Sequence, residues 1–290
     1  MRYTFFMIKR FFQLFFVCIL CFFSLFSACK KPNTGTLPPL QRDKVTPFFP
    51  KQVEFTPAVL DDGVWNTQGI DISYIDTTRK LISFTFDDTP KTSLENILAV
   101  FASFNETHPT CKATATLFCN GNLINNSSFH TLQTALTLGF ELGNHSYSHP
   151  NLTTLSAEKL RAEIDDTDNL LSRIDGKDKH LFRPPYGRIS EQVKNAVGVP
   201  VIDWTIDTLD WTGVSAEEIY QTVFNQKFSG AIVLMHDGYA NTVSALKRLL
   251  PDLEKDGYQV VSVSAMSKAH DCPLKSGGVY IRARKKSGNT

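Results

Sequence analysis

The 290-residue sequence has almost no net charge, because 30 Lys and Arg residues are balanced by 29 Asp and Glu residues for a formal value of +1. A dedicated nucleic-acid-binding protein normally shows a basic patch or stripe, so this balance argues against that class. The sequence also has no repeat with a period of 20–50 residues. It does contain 42% hydrophobic residues, which is ample for the core of one large domain or two small ones.

Cysteine is scarce as well, with six in the whole chain. Three of them lie in or directly after the first apolar run, and the others belong to the predicted globular part: Cys111, Cys119 and Cys272. Because three is an odd number, a full disulfide framework is excluded and at most one bridge can form. Cys119 lies in an apolar, strand-like run and is predicted to be a small buried hydrophobe.

The amino end predicts an export signal over residues 1–28. Three basic residues within the first ten precede an almost wholly apolar run over residues 11–26, and small residues come just before Cys29. This ending resembles the lipobox of bacterial lipoproteins, in which the cysteine is lipidated. An uncleaved membrane anchor is the alternative, because the run approaches the length that spans a bilayer. Either way, we expect an extracytoplasmic domain that is anchored to a membrane.

The segments on either side of the main domain are predicted from their composition. Residues 29–50 hold five prolines and no amphipathic period, which indicates a semi-rigid tether. Residues 51–79 are expected to form a lead-in segment that packs on the domain through apolar side chains such as Trp65. Residues 273–290 are rich in Lys, Arg, Gly and Ser and are expected to form a basic, solvated tail.

Residues 80–272 alternate between strand-like and helical patterns. The strand-like runs cover residues 81–86, 113–118, 140–143, 199–206, 231–235 and 258–263. The intervening stripes have apolar residues three and four positions apart, and two of them have helix start signals, at Ser156 and in the capping box of Ser215 and Glu218. Such alternation predicts an α/β fold with a parallel sheet, and a barrel is its usual closed form.

The polar residues that are candidates for catalysis or metal binding all follow strand-like runs. They are Asp87, Asp88, His145, His149, Arg183, Asp210 and His236, with Trp211 beside Asp210. Arg183 follows a short run over residues 180–182. The carboxyl ends of the strands form the edge where barrel enzymes build active sites. Scattered polar residues would not share this placement, so the sequence predicts that these side chains form one site.

His145 and His149 stand four residues apart and are followed by Pro150. The proline is expected to hold His149 in an extended conformation, which favours a tight loop over a long helix. Two imidazoles at this spacing can bind one divalent metal, although a surface loop is the alternative for the pair taken alone. Either Asp87 or Asp88 completes a set of three ligands with an open position, as in catalytic zinc sites. The same set binds iron in oxygenases, so the ligands alone leave the metal open.

A metal site that cleaves an acyl bond also needs a base and an acid. Asp87 and Asp88 are expected to point to opposite sides of an extended strand, so that one binds the metal and the other faces the substrate. Asp87 is available as the base, and His236 can protonate the leaving group because an imidazole titrates near neutral pH. Asp210 is placed to hold His236 in its charged form.

Two further residues are candidates for supporting roles. Arg183 can bind Asp87 through a charge-assisted hydrogen bond, and the amide of Tyr186 in the rigid segment after it can face a developing oxyanion. Each candidate has a structural alternative when it is taken alone. The two aspartates suit a turn, His236 suits a turn as well, Arg183 suits a surface ion pair and Trp211 suits the core.

Five ordered motifs resemble those of the polysaccharide deacetylases, carbohydrate esterase family 4, which are built on the NodB-homology domain. They are TFDD at residues 85–88, HSYSHP at 145–150, RPPYG at 183–187, DW at 210–211 and LMH at 234–236. The run ATLFCNG at residues 115–121 is similar to the second strand of that family. The resemblance covers residues 80–265, and the shared order of five motifs makes chance a poor explanation.

The resemblance implies a distorted (β/α)7 barrel of the NodB-homology type and metal-dependent removal of acetyl groups from N-acetylated sugars. It makes Asp87 the base and His236 the acid, with Asp210 and Arg183 orienting them. The implied metal ligands are Asp88, His145 and His149. The implied residues of the substrate pocket are Trp211, Leu234 and Pro185.

Two features depart from the family pattern. Thr89 stands where the family usually has glycine, and its side chain is expected to narrow the loop beside the base. The connection over residues 104–111 before the second strand is longer than the compact pattern of the family. Neither departure removes a catalytic group.

The sequence therefore predicts a lipoprotein of the cell envelope that deacetylates GlcNAc residues of peptidoglycan or a chitin-like polymer. Zinc is the favoured metal, with cobalt or nickel as alternatives, and no nucleic acid or obligate protein partner is predicted. The alternative functions are an O-acetyl esterase on an acetylated glycan and a non-catalytic, metal-containing glycan-binding surface lipoprotein. An iron oxygenase does not fit, because those sites usually lie on double-stranded β-helices and this chain alternates strands with helices.

Overall fold

The computed structural model describes residues 55–283. The predicted signal peptide, Cys29 and the proline-rich tether lie outside these residues, as do the last seven residues of the predicted tail. Within the described part, the chain forms eight β-strands and seven α-helices. None of the helices in residues 55–283 combines the length and the apolar character that crossing a membrane requires.

Strands and helices alternate along most of this part of the chain. The strands are β1 Lys80–Thr89, β2 Thr116–Cys119, β3 Glu141–Asn144, β4 Val201–Ile202, β5 Ile206–Asp207, β6 Ile232–His236, β7 Tyr258–Val260 and β8 Val279–Tyr280. The helices are α1 Leu94–Thr107, α2 Asn126–Thr137, α3 Ala157–Asp175, α4 Glu191–Val197, α5 Ala216–Gln226, α6 Ala240–Lys255 and α7 Val263–Ala269. Both predicted helix starts are confirmed: Ser156 caps α3, and Ser215 and Glu218 form a capping box at α5.

Strand β1 is the centre of the sheet. Five strands lie in the order β3-β2-β1-β6-β5, β7 pairs with the first half of β1, and all of these pairs are parallel, as predicted. The run from Leu81 to Asp87 is buried throughout, as expected for a parallel strand that is covered on both faces. The register sets Asp87 opposite His236 of β6, so two of the predicted site residues end neighbouring strands.

The strand expected over residues 199–206 is split into β4 and β5. At the break, the Nε of Arg183 donates a hydrogen bond to the carbonyl of Ile202 at 3.0 Å, and its Nη2 donates to the carbonyl of Asp203 at 3.1 Å. A buried side chain thus takes acceptors that a neighbouring strand would otherwise use. The hydrophobic pattern of this segment carries no sign of that competition.

A buried histidine fixes the segment between α3 and α4. The Nδ1 of His180 lies 2.9 Å from a carboxylate oxygen of Asp168, and its Nε2 lies 3.1 Å from Asp175, both on α3. Burial alone would lower the pKa of His180, but the two carboxylates raise it to about 9. Two residues later, Phe182 forms parallel bridges to β3 and β4.

The described part of the predicted tail is exposed at most positions, but its backbone also pairs with the sheet. Strand β8 pairs in parallel with β4, and backbone amides donate hydrogen bonds to the carbonyls of Gly278 at 2.9 Å and Tyr280 at 2.8 Å. Ala283 is buried, and its amide donates to the carbonyl of Gly230 at 3.0 Å. Backbone groups at the edge of β4 need partners, and the tail provides them whatever its side-chain composition.

The lead-in segment is linked to the start of β3 by a series of hydrogen bonds. Trp65 is buried, and its indole N–H donates a hydrogen bond to the hydroxyl of Ser264 at 2.8 Å. That hydroxyl donates in turn to the buried carboxylate of Glu141. The indole nitrogen of a buried Trp therefore has the partner that it requires.

The cysteines of the described part form no disulfide. Cys119 is fully buried in β2, and burial raises the pKa of its thiol to about 12. The prediction that Cys119 is a buried apolar residue is confirmed.

We expect removal of the tail to destabilise the fold. A chain that ends at Gly277 loses β8 and the hydrogen bond of Ala283, and about 1 kcal/mol for each of two or three hydrogen bonds predicts a loss of about 2–3 kcal/mol in the free energy of unfolding. Thermal unfolding followed by circular dichroism measures this loss as a lower Tm. A chain that ends at Ala283 keeps these contacts and is the control, and equal Tm values for the two chains would contradict the role of β8.

Candidate active site

The end of β1 carries a bulge that turns two aspartates toward the same side. The register of β1 against β2 shifts between Phe86 and Thr89, and Asp88 lies in the left-handed region with φ of 60°. As a result, Oδ2 of Asp87 lies 3.5 Å and Oδ1 of Asp88 lies 3.8 Å from Nε2 of His145. The expectation that these side chains point to opposite sides is wrong, because it assumed a regular strand at Asp88.

The loop after β3 brings the two histidines together without a helix. The ring centroids of His145 and His149 are 5.0 Å apart. Ser146 and His149 have φ values of 67° and 61°, so His149 is not extended as expected before Pro150. The amide of Ser146 donates to Oδ1 of Asn144 at 2.9 Å, and the amide of His149 donates to the hydroxyl of Ser146 at 3.1 Å. These side-chain acceptors stabilise a backbone that the proline alone does not determine.

Glu163, which was not among the residues predicted from the sequence, anchors this loop. Its carboxylate accepts two hydrogen bonds from Ser148, one from the amide at 2.7 Å and one from the hydroxyl at 2.6 Å. Ser148 directly precedes His149, so Glu163 fixes the loop between the two histidines. The partners lie 15 positions apart, on a loop and on α3, and no local sequence signal relates them.

Asp88, His145 and His149 can hold a divalent metal. Among the described residues they form the group in which one ligand atom from each residue lies within 4.8 Å of the others. Oδ1 of Asp88 is 3.5 Å from Nε2 of His149 and 3.8 Å from Nε2 of His145. Two tetrahedral ligands at zinc–ligand distances of 2.0–2.2 Å lie about 3.4 Å apart, so the three side chains fit such an ion.

The protonation of His145 suits a metal ligand. Its Nδ1 lies 2.7 Å from the carbonyl oxygen of Arg183, and because a carbonyl only accepts, Nδ1 carries the proton and Nε2 is left as the ligand atom. Burial lowers the pKa of His145, and the charge of Asp87 opposes this effect only in part. The imidazole therefore stays neutral at physiological pH, as metal binding requires.

Arg183 is fully buried beside Asp87, contrary to the alternative of a surface ion pair. Its Nη1 donates to Oδ1 of Asp87 at 2.7 Å and to the hydroxyl of Thr85 at 2.7 Å. The guanidinium also lies 4.2 Å from the ring centroid of Phe118, within the range of a cation–π contact. Arg183 thus occupies one oxygen of Asp87, while the other oxygen faces His145.

Asp210 holds His236 on the neighbouring strand. Oδ1 of Asp210 lies 2.7 Å from Nδ1 of His236, while Oδ2 accepts the amide of His236 at 2.8 Å and the hydroxyl of Thr242 at 2.6 Å. Burial alone would lower the pKa of His236, but the hydrogen bond to Asp210 and the negative charge of Asp87 raise it. With Nδ1 bound to Asp210, Nε2 is the nitrogen that can exchange a proton with a ligand.

Two of the predicted aromatic residues lie at the surface of the site. Tyr186 is 63% exposed and Trp211 is 54% exposed, so Trp211 is not a core residue. Tyr186 has φ of 62°, and its ring packs edge-on against His149 with centroids 4.7 Å apart. Pro185 and Leu234, the other predicted pocket residues, are buried. The site therefore combines a buried polar floor with an exposed aromatic rim.

The residues directly after the two aspartates differ from expectation. The side chain of Thr89 is buried, and its hydroxyl donates a hydrogen bond to Sγ of Cys119 at 3.2 Å. It therefore points into the interior and does not narrow the loop beside Asp87. Lys91, which was not predicted to belong to the site, forms an ion pair with Oδ2 of Asp88 at 2.9 Å. This contact leaves Oδ1 of Asp88 as the oxygen that faces the histidines.

Comparison with known sequences identifies a family. A model described as "Polysaccharide deacetylase" matches residues 74–199. A peptidoglycan-N-acetylglucosamine deacetylase of Bacillus cereus is 34% identical over 201 residues, which are 66% of this chain and 90% of that protein. The peptidoglycan-N-acetylmuramic acid deacetylase PdaC of Bacillus subtilis is 34% identical over 195 residues, which are 67% of this chain. This chain spans 40% of the length of PdaC, and 39% of the related deacetylase PgdA of Listeria monocytogenes.

Solved structures agree with this assignment. The structure of PdaC from Bacillus subtilis matches with a TM-score of 0.62 and 33% identity, over 68% of this chain and 94% of that chain. A family 4 acetyl xylan esterase from Clostridium thermocellum, solved with a cobalt ion, matches with a TM-score of 0.65 and 27% identity, over 70% of this chain and 98% of that chain. The α/β fold with its parallel sheet is thereby confirmed.

We expect Glu163→Gln to weaken metal binding by about tenfold, because residues that orient metal ligands typically contribute that much to affinity. The amide carries no charge and keeps only one acceptor oxygen, so the two charge-assisted hydrogen bonds to Ser148 are replaced by weaker neutral ones. Competition with a chromophoric chelator measures the Kd for zinc. Asp166→Asn is the control, because Asp166 is an exposed carboxylate on the same helix. Equal Kd values for the two variants would contradict the anchoring role of Glu163.

We expect Asp210→Asn to lower the pKa of His236, because the variant removes the carboxylate that favours the imidazolium. Since the pKa of His236 is raised in the native protein, the imidazolium should persist to a higher pH there than in the variant. An NMR titration of the imidazole in the metal-free protein measures both values. Asp207→Asn removes a carboxylate on β5 that does not contact His236 and is the control, and an unchanged pKa in Asp210→Asn would contradict the assignment.

Proposed function

Because the chain belongs to the polysaccharide deacetylase family, we propose that it hydrolyses the acetamide groups of N-acetylated sugars in a polysaccharide. The observation that carries this proposal is the convergence of two functional sets at the ends of β1, β3 and β6. One set is the metal-ligand group of Asp88 with two histidines, and the other is the acid–base pair of Asp87 and His236. A protein that only binds glycans does not need both an acid and a base.

The metal would be held by Asp88, His145 and His149, and the donor set of two imidazoles and one carboxylate favours zinc, with cobalt or nickel as alternatives. A bound ion would supply Lewis-acid polarisation of the acyl group and acidification of a water molecule. The acetyl xylan esterase of Clostridium thermocellum that was solved with cobalt supports a divalent metal in this family.

Asp87 would act as the base that accepts a proton from the attacking water. Arg183 holds Oδ1 of this carboxylate at 2.7 Å through a charge-assisted hydrogen bond, which orients the carboxylate. The free oxygen, Oδ2, lies on the side of His145, where the reacting water is expected. Arg183 is a positioning residue in this scheme, since it contacts Asp87 and the fold around it.

His236 would act as the acid that protonates the leaving nitrogen. Its raised pKa keeps the imidazolium populated at higher pH than an ordinary histidine would, and Asp210 fixes the orientation of the ring. Water addition, proton removal by Asp87 and proton donation by His236 release acetate and leave a free amine on the sugar. Trp211, Leu234 and Pro185 would enclose the methyl group of the acetate, and the amide of Tyr186 would face its oxygen.

The proposed substrate is the GlcNAc of peptidoglycan or of a chitin-like polymer. The peptidoglycan deacetylases of Bacillus and Listeria support this choice. A predicted signal peptide and lipidation at Cys29 would place the enzyme in the cell envelope, where peptidoglycan is at hand. O-acetyl esterase activity is a second candidate, because two relatives are bifunctional xylanase/deacetylases and one structural neighbour is an acetyl xylan esterase.

We also propose that the sheet closes into the distorted barrel expected for this family. Phe182 forms parallel bridges to Asn144 of β3 and to Val201 of β4. Between β4 and β5, the amide of Thr205 donates to the carbonyl of Ile232 on β6 at 3.0 Å. These contacts support a continuous path of backbone pairing from β1 through β2, β3 and residues 201–206 to β6, which pairs with β1 again.

The test is release of acetate by the purified protein after metal removal and reloading with zinc, cobalt or nickel. N-acetylglucosamine oligomers, peptidoglycan and acetylated xylan are the substrates. We expect metal-dependent release, lowered by about 10²–10⁴-fold in Asp87→Asn and in His236→Ala, which is the usual range for a lost acid or base. Asp87→Asn keeps an acceptor for the buried Arg183, so the variant should still fold.

Asp207→Asn is the matched control for the aspartate variant and should keep full activity. Release from acetylated xylan but not from N-acetylated substrates would replace the proposal with the O-acetyl esterase. Tight metal binding with no release from any of the three substrates would favour a binding protein and overturn the enzymatic assignment.

A further inference from the structure

We propose that Lys91 is a positioning residue that makes Asp88 bind the metal through one oxygen, and so keeps a coordination position open for water or substrate. This inference rests on the metal site of the proposed function. The ammonium of Lys91 lies 2.9 Å from Oδ2 of Asp88. The other oxygen, Oδ1, lies 3.5 Å from Nε2 of His149 and 3.8 Å from Nε2 of His145. The two oxygens of this carboxylate therefore have separate partners.

The backbone that carries this ion pair is held by buried hydrogen bonds. An ion pair with an exposed partner contributes little by itself, and the side chain of Lys91 is 37% exposed. However, the carboxylate of Asp237 is fully buried and accepts the amides of Lys91 and Ser93. The amide of Asp237 also donates to the carbonyl of Asp87 at 3.0 Å. Asp237 therefore binds the chain on both sides of Asp88 and fixes the position of Lys91 relative to it.

The stem of Lys91 lies against the same segment after β6. Gly238 has φ of 100°, and a Cβ atom at this position would lie 3.3 Å from Cδ of Lys91 and 3.7 Å from its Cβ. The lysine stem therefore passes close to the backbone directly after the proposed acid, His236, and its neighbour Asp237. The segment that carries the acid thus helps to place the ammonium beside a metal ligand.

The chemical consequence concerns the number of ligand atoms. A carboxylate can bind a divalent ion through one oxygen or through both. If both oxygens of Asp88 bound the ion, the second would take the position that a catalytic zinc site keeps open. The ammonium of Lys91 opposes this in two ways, because it occupies Oδ2 through a charge-assisted hydrogen bond and because it repels a cation. Lys91 thus lowers the affinity for the metal and preserves the open position.

The experiment replaces the ammonium and measures metal binding directly. Cobalt(II) absorbs visible light more strongly with four ligands than with five or six, so the spectrum of the cobalt-loaded protein reports the number of ligand atoms. We expect Lys91→Met to lower the absorbance per bound cobalt, and to tighten zinc binding by about tenfold because a positive charge near a divalent ion is removed. Lys194→Met is the matched control, since Lys194 pairs with Glu191 at the same spacing on α4.

A second variant tests whether Asp237 acts through Lys91. Asp237→Asn weakens the hold on the amides of Lys91 and Ser93, so it should change the cobalt spectrum in the same direction as Lys91→Met. In a protein that already carries Lys91→Met, it should have no further effect on the Kd for zinc. Effects of the two variants that simply add would contradict the role of Asp237. Lys91→Met leaves the buried Asp237 intact and decides the role of Lys91 even if Asp237→Asn does not fold.

The outcomes separate the role of Lys91 from the enzymatic assignment. Equal cobalt spectra of Lys91→Met and Lys194→Met would overturn the proposal, as would weaker zinc binding by Lys91→Met than by the wild-type protein. Both measurements need bound metal but no release of acetate. A protein that binds cobalt and releases no acetate therefore refutes the proposed function and still decides the role of Lys91, whereas a protein that binds no divalent metal refutes both.

Discussion

Arg183 carries a positive charge into a fully buried position, and much of the surrounding structure follows from the need to satisfy it. A buried charge without partners costs several kcal/mol, so each donor nitrogen must find an acceptor. Thr85 and Asp87 of β1 provide two acceptors, and the carbonyls of Ile202 and Asp203 provide the others. The same residue thus interrupts one strand and orients the carboxylate at the end of another. The hydrogen bond between Arg183 and Asp87 therefore serves two purposes. It satisfies a buried charge of the fold, and it fixes the position of the proposed base.

The site also contains several residues other than glycine whose backbone lies in the left-handed region. Asp88, Ser146, His149, Tyr186 and Leu209 all have positive φ. Such conformations cost of order 1–3 kcal/mol each and persist only where neighbouring contacts stabilise them. The hydrogen bonds around the histidine loop and the ion pair at Asp88 are contacts of this kind. Their combined effect is that side chains from separate loops converge within a few ångströms.

The sequence was sufficient to predict the alternation of strands and helices, because the periods of apolar residues differ between the two and the helix starts carry local signals. The sequence also identified the polar residues that converge at the site, since each one follows a strand-like run. It could not show the bulge at Asp88 or the left-handed His149, because both depend on hydrogen bonds made after folding. Glu163 and Lys91 were missed for the same reason: an exposed-looking charge on a helix or a loop resembles any other solvated residue until its partner is known. The pairing of β8 with β4 depends on backbone groups, which composition does not report.

The buried His180 makes the stability of the fold depend on pH. Its pKa of about 9 in the folded protein lies above the ordinary 6.5. Its contribution of about 3 kcal/mol to the free energy of unfolding is therefore fully present below pH 6.5 and is lost as the pH rises through 9. Asp175 behaves in the opposite sense: burial alone would raise its pKa, but the hydrogen bond from His180 lowers it below the ordinary 3.8. Its contribution is therefore present above that pH and is lost on further acidification. The two shifts describe one coupled pair, which is complete only between about pH 4 and 6.5, so the segment that leads into Arg183 is held most firmly in a mildly acidic medium.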